Sequence, residues 1–586
     1  MTKRYNRIIA VAIAVIMSLV LVAACATEYE TAAPTPAPTP APATGNETQG
    51  TDGDETVATG PREINQNNIL RFGTTSLDGL FNPTVSSNVY DSYVVSLIFE
   101  GLVTNNAGGE FIPNIADWEL SSDNLTYTFT LHEGITFSDG TPMTASDVAF
   151  TYNVFAHPEY TGVRGYVVVD FEGHDEFKDG TADSISGINV IDERTISFTY
   201  AEGTASPANI ANFGYGIMPE HYYAFDAWDD FAAKFDQPMG SGWFVFQEWR
   251  DKEFLLLHTN FDYWKPADIP LIDGVIFLDI PDESLAGAFM TDQVDVANPG
   301  ASLDNQAAFA TIDGIDVRVI EGNSYNFMQF NTLIPQLEDY RVRQALLYAL
   351  DREAFVTAAY GALGSVGLSP ISPVSWAFNP DGMNPYAFDL DKANELMEDA
   401  GWVMGGDGVR TKDGNRMAIT WLVYPEAAWP GILSGLAADT WPQIGVDLTI
   451  EIMDFNTVGD RSLSASSNAE RDFEMFTMGW SMAIDPDLTG GIFGLDEMAL
   501  GDGGFNASGW RNEEYARKME DAKQSFDQAK RTELYNEISA MYNEQVPTVV
   551  VALRSVMWPV ADRVGNLDIS TYVDWTYHIN KVTLDH

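Results

Sequence analysis

Thr126-Tyr127-Thr128-Phe129-Thr130-Leu131, followed by Phe137-Ser138-Asp139-Gly140-Thr141-Pro142-Met143-Thr144-Ala145-Ser146-Asp147-Val148, is the stretch from which the fold is read. In the first segment apolar and hydroxyl side chains alternate, the period of a strand with one face buried. Asp139-Gly140 is turn chemistry. Thr144 and Asp147 have the spacing of a capping box that opens a helix through Ala149 and Phe150. A strand, a turn and a capped helix in so few residues make this stretch architectural rather than ligand-binding.

Outward from it, strands and helices are mixed. Val342, Ala345, Leu346, Ala349 and Leu350 recur at helical spacing, which predicts a helix stopped at Gly361. Ala393, Leu396, Met397 and Ala400 repeat the pattern, with Gly401 as the C-terminal cap. Tyr515 to about Gln545 predicts one or two helices closed by Pro547, and Val549 to Leu553 a buried strand. Mixed elements without strict alternation indicate an α/β body with discontinuous lobes.

Charge narrows the partners. Among 586 residues, 85 acids face 31 Lys and Arg, a formal charge of −54. Phosphate backbones need a positive surface, so nucleic acid is excluded as a partner. Docking on anionic lipid by charge is disfavoured too. The acids read as a solvated, solubilising skin, with adaptation to a saline medium as the alternative. A single cysteine, Cys25, rules out an intramolecular disulfide, zinc ribbons and Cys-x-x-Cys redox motifs.

That cysteine closes an export signal. Lys3, Arg4 and Arg7 precede the apolar run Ile8 to Val22, and Ala23-Ala24 precede Cys25. Leu21-Val22-Ala23-Ala24-Cys25 resembles the lipobox of bacterial lipoproteins, with Val22 where Leu is usual. The resemblance implies cleavage after residue 24 and a diacylglyceryl group on Cys25, which would fix the chain to a membrane on the extracytoplasmic face, at the outer surface of the cytoplasmic membrane or in a periplasm. Residues 25–63 follow as the lipidated cysteine and a Pro/Thr/Gly tether without core-forming residues.

No constellation for catalysis is present. The sequence has no Walker A loop, no Gly-x-Ser-x-Gly elbow, and Gly240-Ser241-Gly242 lacks a third glycine. The histidines at 132, 157, 174, 221, 258, 578 and 586 never fall at metal-ligand spacing. Asp485-Pro486-Asp487 and Asp502-Gly503 do not fit a calcium loop. The expectation is therefore a protein that is not an enzyme, with no cofactor and no metal.

The stretch Ile115 to Val148 as a whole resembles the signature of extracellular solute-binding proteins of family 5, the dipeptide, oligopeptide and nickel binders. Further landmarks follow in order: Ile217-Met218-Pro219-Glu220-His221, Gly240 to Phe244 with Asn260 to Trp264, Phe330-Asn331 with Arg341 to Glu353, and Asp391 to Trp402. The resemblance covers roughly residues 66–586. It implies an α/β, two-lobed periplasmic-binding-protein-like fold (type II, cluster C) with an extra domain inserted in lobe I. Lobe I would comprise 64–105, 206–325 and 554–586, the extra domain 106–205, and lobe II 326–553.

The same resemblance implies a monomer that closes its lobes on a peptide or small solute and docks on ABC permease subunits driven by a cytoplasmic ATPase. Val89-Tyr90, ahead of Glu100-Gly101-Leu102, would supply one wall of the cleft. Gly479-Trp480, with Ser481 and Met482, would supply the other. Relatives place an Asp three to four residues beyond that Trp to hold the peptide amine. Here Met482-Ala483-Ile484 are apolar, and Asp485 is the nearest acid. Tyr325 and Asn326 lie near the inferred crossing strand, and Tyr424 and Trp429 follow the strand Ile419 to Val423, a usual place for pocket loops. Two other functions stay open: the same fold binding an oligosaccharide or another non-peptide solute, and a surface adhesion or scaffold protein.

Overall fold

The computed structural model describes residues 64–75, 77–160, 162–463, 472–488, 492 and 506–585. The export signal, Cys25, the tether and Asp502-Gly503 lie outside the described residues.

Thr126–Leu131 is a strand that buries Tyr127, Phe129 and Leu131 and turns its threonines outward. It sits in a four-stranded antiparallel sheet ordered Ala116–Leu120, Thr126–Leu131, Thr195–Thr199, Ile188–Val190. The capping box forms: Asp147 Oδ2 accepts from the Thr144 N–H at 2.8 Å at the start of helix Ala145–Phe155. The same motif grips a later segment. Asp147 Oδ1 accepts from the Glu220 N–H at 2.9 Å, Thr151 Oγ1 from the Met218 N–H at 2.9 Å, and Asp139 Oδ2 lies 2.7 Å from His221 Nε2. The signature thus ties the small domain to the segment by which the chain leaves it. Its core gathers residues between Leu102 and Ile217.

One long mixed sheet organises the rest. Its order is Asp447–Ile452, Ala418–Val423, Met475–Ser481, Ile315–Phe330, Thr548–Ala561, Val296–Ala297, Ile69–Thr74, Gly274–Asp279, Phe254–Thr259, Phe244–Arg250. A large core formed by residues from Tyr325 to Leu553 packs around one end. A second core, drawn from Leu70 to Phe99, Met218 to Val296 and Trp558 to Leu584, packs around the other. We call these lobe II and lobe I. Among the described residues only Ile315–Phe330 and Thr548–Ala561 pass from one to the other, antiparallel and paired to each other. We call them the first and second crossing strands.

The helices follow the sequence pattern with one correction. The stretch read as a single helix up to Gly361 is two, Tyr340–Tyr348 and Arg352–Ala359. Asp351 ends the run because its side chain accepts from the Ala354 N–H at 2.9 Å and so starts a new helix. Leu390–Asp399 is followed by Gly401 at φ +84°, a left-handed position that favours glycine. Tyr515 to Gln545 falls within two helices, Glu513–Gln524 and Gln528–Gln545.

Lobe I is fastened to the second crossing strand by a buried carboxylate. Asp295 is 0% exposed and holds two arginines. Arg71 reaches it through Nε at 3.0 Å and Nη2 at 2.6 Å, and Arg563 through Nε at 2.8 Å and Nη2 at 3.1 Å. Burial alone would raise this carboxyl, but the bonds and charge of Arg71 and Arg563 outweigh it and hold it below the usual carboxylate range. Asp295→Ala leaves two guanidinium groups without their anion, and we expect a loss of about 3–5 kcal/mol in urea unfolding. For the native chain, a depressed carboxyl stabilises above its unfolded pKa of about 4 and loses that contribution as pH falls through the lower folded value. The variant should show a smaller acid-induced loss of stability than the native chain, and equal losses would refute the assignment.

Candidate functional site

The crossing strands are irregular where they leave one lobe for the other. Glu321 pairs with Ser555 and Tyr325 with Leu553, so Gly322, Asn323 and Ser324 oppose Arg554 alone. A second irregularity follows at once, because Asn326 pairs with Ala552 and Phe327 with Val550. Bulges of this kind interrupt a ladder and re-aim side chains. Gly322 is required here, because a Cβ at this position would collide with the Arg554 carbonyl oxygen. The bulge is stapled to the neighbouring strand end. Asn323 Nδ2 donates to the carbonyls of Met482 at 3.0 Å and Ala483 at 2.9 Å, and the Met482 N–H donates to Asn323 at 2.9 Å.

Several predicted residues meet at this junction. Tyr325 pairs with Trp480 and Asn326 with Gly479, while Ser481, exposed, pairs with Ser324. Trp480 and Met482 are partly buried against the lobe II core. Asn326 is buried and its Oδ1 accepts from the Tyr360 hydroxyl at 2.5 Å. Tyr424 follows strand Ala418–Val423, and Trp429 lies in the first turn of helix Ala428–Thr440. Their rings meet edge to face at 6.0 Å, and Tyr424 also meets Phe455 at 4.9 Å.

Others are placed differently. Tyr325 is 1% exposed, so its side chain is core. Val89 and Tyr90 open helix Val89–Ile98 in lobe I: Val89 is 52% exposed, whereas Tyr90 is buried with its ring against Tyr93 of the same lobe. Burial and the Asp282 charge push the Tyr90 phenol up. Asp485 is committed to the fold. Arg531 Nη1 and Nη2 bind its two oxygens at 2.8 and 2.6 Å, and both side chains are largely buried. Burial alone would lower the Arg531 guanidinium, but Asp485 outweighs it and holds it above its ordinary value. The Arg531 guanidinium also lies 5.3 Å from the Trp376 ring centre. An incoming amine would have to displace a two-pronged ion pair.

Three residues of the junction were not singled out from sequence: Tyr360, Glu426 and Arg554. Only Arg554 carried a signal, a cation interrupting the apolar run from Val549 to Trp558.

The lobes also touch beyond the crossing strands. Tyr572, in the C-terminal segment of lobe I, donates its hydroxyl to the Val374 carbonyl of lobe II at 3.0 Å. Gln306 Nε2 donates to the Tyr360 carbonyl at 2.9 Å.

With this geometry in hand, comparison with known proteins is direct. The family described as bacterial extracellular solute-binding proteins, family 5 (middle), matches residues 110–492. The chain belongs to this family. It is 25% identical over 491 residues to the oligopeptide-binding protein AppA of Bacillus subtilis, a match spanning 82% of this chain and 85% of AppA. It is 27% identical over 510 residues to the dipeptide-binding protein of Escherichia coli, covering 83% and 89% of the two chains. The solved structure of B. subtilis AppA with a nonapeptide superposes with a TM-score of 0.67 at 22% identity, covering 88% of this chain and 99% of that one. The two-lobed α/β architecture is thus that of family 5.

The Asp485–Arg531 pair separates a structural from a ligand-holding role. Asp485→Ala should cost about 3–5 kcal/mol of stability, as expected when one partner of a buried pair is removed. Asp485→Leu combined with Arg531→Met should recover most of that loss. Thermal or urea unfolding of both variants reads the difference, and an Asp485→Ala chain as stable as the native one would show that the pair holds nothing together.

Proposed function

We propose that this chain is an extracytoplasmic solute-binding lipoprotein that captures a peptide between its lobes and delivers it, chemically unchanged, to an ABC permease. The observation that carries this is the junction itself. Two paired strands are the only described covalent route between two separately packed cores, and Trp480 pairs with Tyr325 beside their bulge. Clefts at such boundaries are common ligand sites, and hinged closure shields a guest from water. Family members of similar length are named as binders of oligopeptides and dipeptides, which favours a peptide over an oligosaccharide or a scaffold role.

The export reading completes the proposal. Acylated Cys25 would hold the body outside the cytoplasm, and residues 26–63 would let it reach the permease. Among the described residues no helix is long and apolar enough to cross a membrane, so the lipid would be the anchor for that part of the chain.

Mass spectrometry of ligand released from the purified chain should find peptides, and Trp480→Ala should weaken their binding about tenfold or more in calorimetry. Recovery of glycans alone, or of no solute together with no thermal shift from peptide pools, would reject peptide capture. Cys25→Ser should move the protein from the membrane to the soluble fraction. Unchanged membrane retention would reject the lipid anchor.

A further inference from the structure

Arg352 is a buried cation without a paired anion in the chain. It opens helix Arg352–Ala359 in lobe II and is 5% exposed. Its Nη1 donates to the Gly367 carbonyl at 2.7 Å and its Nη2 to the Pro385 carbonyl at 2.5 Å. Its Nε is closed off from solvent and has no hydrogen-bond partner in the chain. Among the described residues no carboxylate pairs with it. Burial pushes the guanidinium down to about 10, and the group set against that fall is the Tyr386 phenol. An enclosed charge left uncompensated is costly.

Other buried arginines of lobe II have no donor nitrogen to spare. Arg343 uses all three nitrogens on the carbonyls of Leu337, Glu338, Gln545 and Val546. Arg410 uses its three on Ile444, Trp402 and Asn394. Arg531 is saturated by Asp485, Tyr535 and Ala522. These are staples between elements. Arg352 is a staple through Nη1 and Nη2 and leaves Nε over.

The spare donor belongs to the wall of a small cavity. Its volume is about 20 Å³, and Arg352, Gly367, Tyr542, Thr548 and Val550 are part of its lining. The two carbonyls that receive Nη1, Gly367 at 2.7 Å and Val550 at 3.4 Å, belong to that lining, so the guanidinium head stands at its edge. Tyr542 and Thr548 bring two hydroxyls that bond to each other. Such a pair uses one of its two protons internally and has the other to donate. The Arg343 charge reaches the same wall, where it opposes the burial-driven rise of the Tyr542 phenol. The acid that acts on the lining, Glu544 through Tyr386, is itself exposed. A space of this size admits one particle about as large as a water molecule. Sulfate, phosphate and carboxylates are too large for it. A water would give Nε–H an acceptor and leave the charge unbalanced.

We infer that this cavity binds one small monovalent anion, a halide such as chloride, held by the Arg352 Nε–H and by the remaining proton of the Tyr542–Thr548 hydroxyl pair. The site lies within lobe II and does not depend on what the lobes capture. Its lining draws on helix Arg352–Ala359, the segment 367–370, helix Gln528–Gln545 and the start of the second crossing strand. The bound anion therefore fastens that strand to the helices packed against it.

The full mature chain is unfolded by heat in sodium gluconate, whose anion is too large for the cavity, and chloride or bromide replaces gluconate stepwise at constant ionic strength. Each halide should raise the unfolding temperature along a saturating curve, as a ligand of the folded state does. Thr548→Val keeps the shape and removes one hydroxyl, and it should move the midpoint of that curve about tenfold upward in halide concentration. Arg352→Met should abolish the halide dependence. Crystals of the native chain grown in bromide should show anomalous bromine scattering within hydrogen-bond distance of Arg352 Nε, a readout that stands even where Arg352→Met does not fold. A water in the cavity without a bromine signal, together with an unfolding temperature indifferent to the anion, overturns the halide site. So does a halide dependence that persists unchanged in Arg352→Met, or bromine confined to the surface. None of these outcomes bears on peptide capture.

Discussion

Everything in this molecule hangs from two paired strands. Ile315–Phe330 and Thr548–Ala561 each begin in one core and end in the other. On the lobe I side the ladder runs unbroken from Ile315 opposite Ala561 to Glu321 opposite Ser555, and on the lobe II side it resumes at Tyr325 opposite Leu553. The ladder between the crossing strands is interrupted at Gly322, Asn323 and Ser324 and again between Asn326 and Phe327. A paired ribbon resists sliding and allows bending, and the bulge sets where it bends. Trp480, proposed to face the ligand, pairs with Tyr325 at the edge of that bulge.

Each lobe is tied internally by buried charge. In lobe I, Asp295 collects Arg71 from strand Ile69–Thr74 and Arg563 from the turn that follows the second crossing strand, and so fixes the lobe to the end of that strand. In lobe II, Arg343, Arg410 and Arg531 close helix ends and loops onto one another. Such groups are costly to bury and tolerated only when their bonding is complete.

What the sequence made legible follows the same division. The stretch from Ile115 to Val148 was readable because its information is local: alternation in Thr126–Leu131, a turn at Asp139-Gly140, a cap at Thr144. Its second role, gripping Met218, Glu220 and His221, was visible only as two motifs recurring in order. The helix predicted through to Gly361 failed because Asp351 was read as part of a periodic run rather than as a cap. Residues at the junction were half legible. Tyr424, Trp429 and Gly479-Trp480 follow strand and motif positions, whereas Asp485 looked available because its partner Arg531 lies in a helix far along the chain. Sheet order, with Met475–Ser481 and the first crossing strand lying between Ala418–Val423 and the second crossing strand, was not legible. No spacing rule in one sequence encodes that.

The acidity of the chain then acquires a consequence for the guest. A formal charge of −54 sets up a negative field around the body, although at physiological ionic strength it decays over about 8 Å. An anionic solute approaches against it, and a cationic one is drawn in by the surface without discrimination. A zwitterion carries no net charge, so the outer field neither repels nor concentrates it strongly. Its recognition therefore falls to short-range contacts with the chain rather than to the surface field.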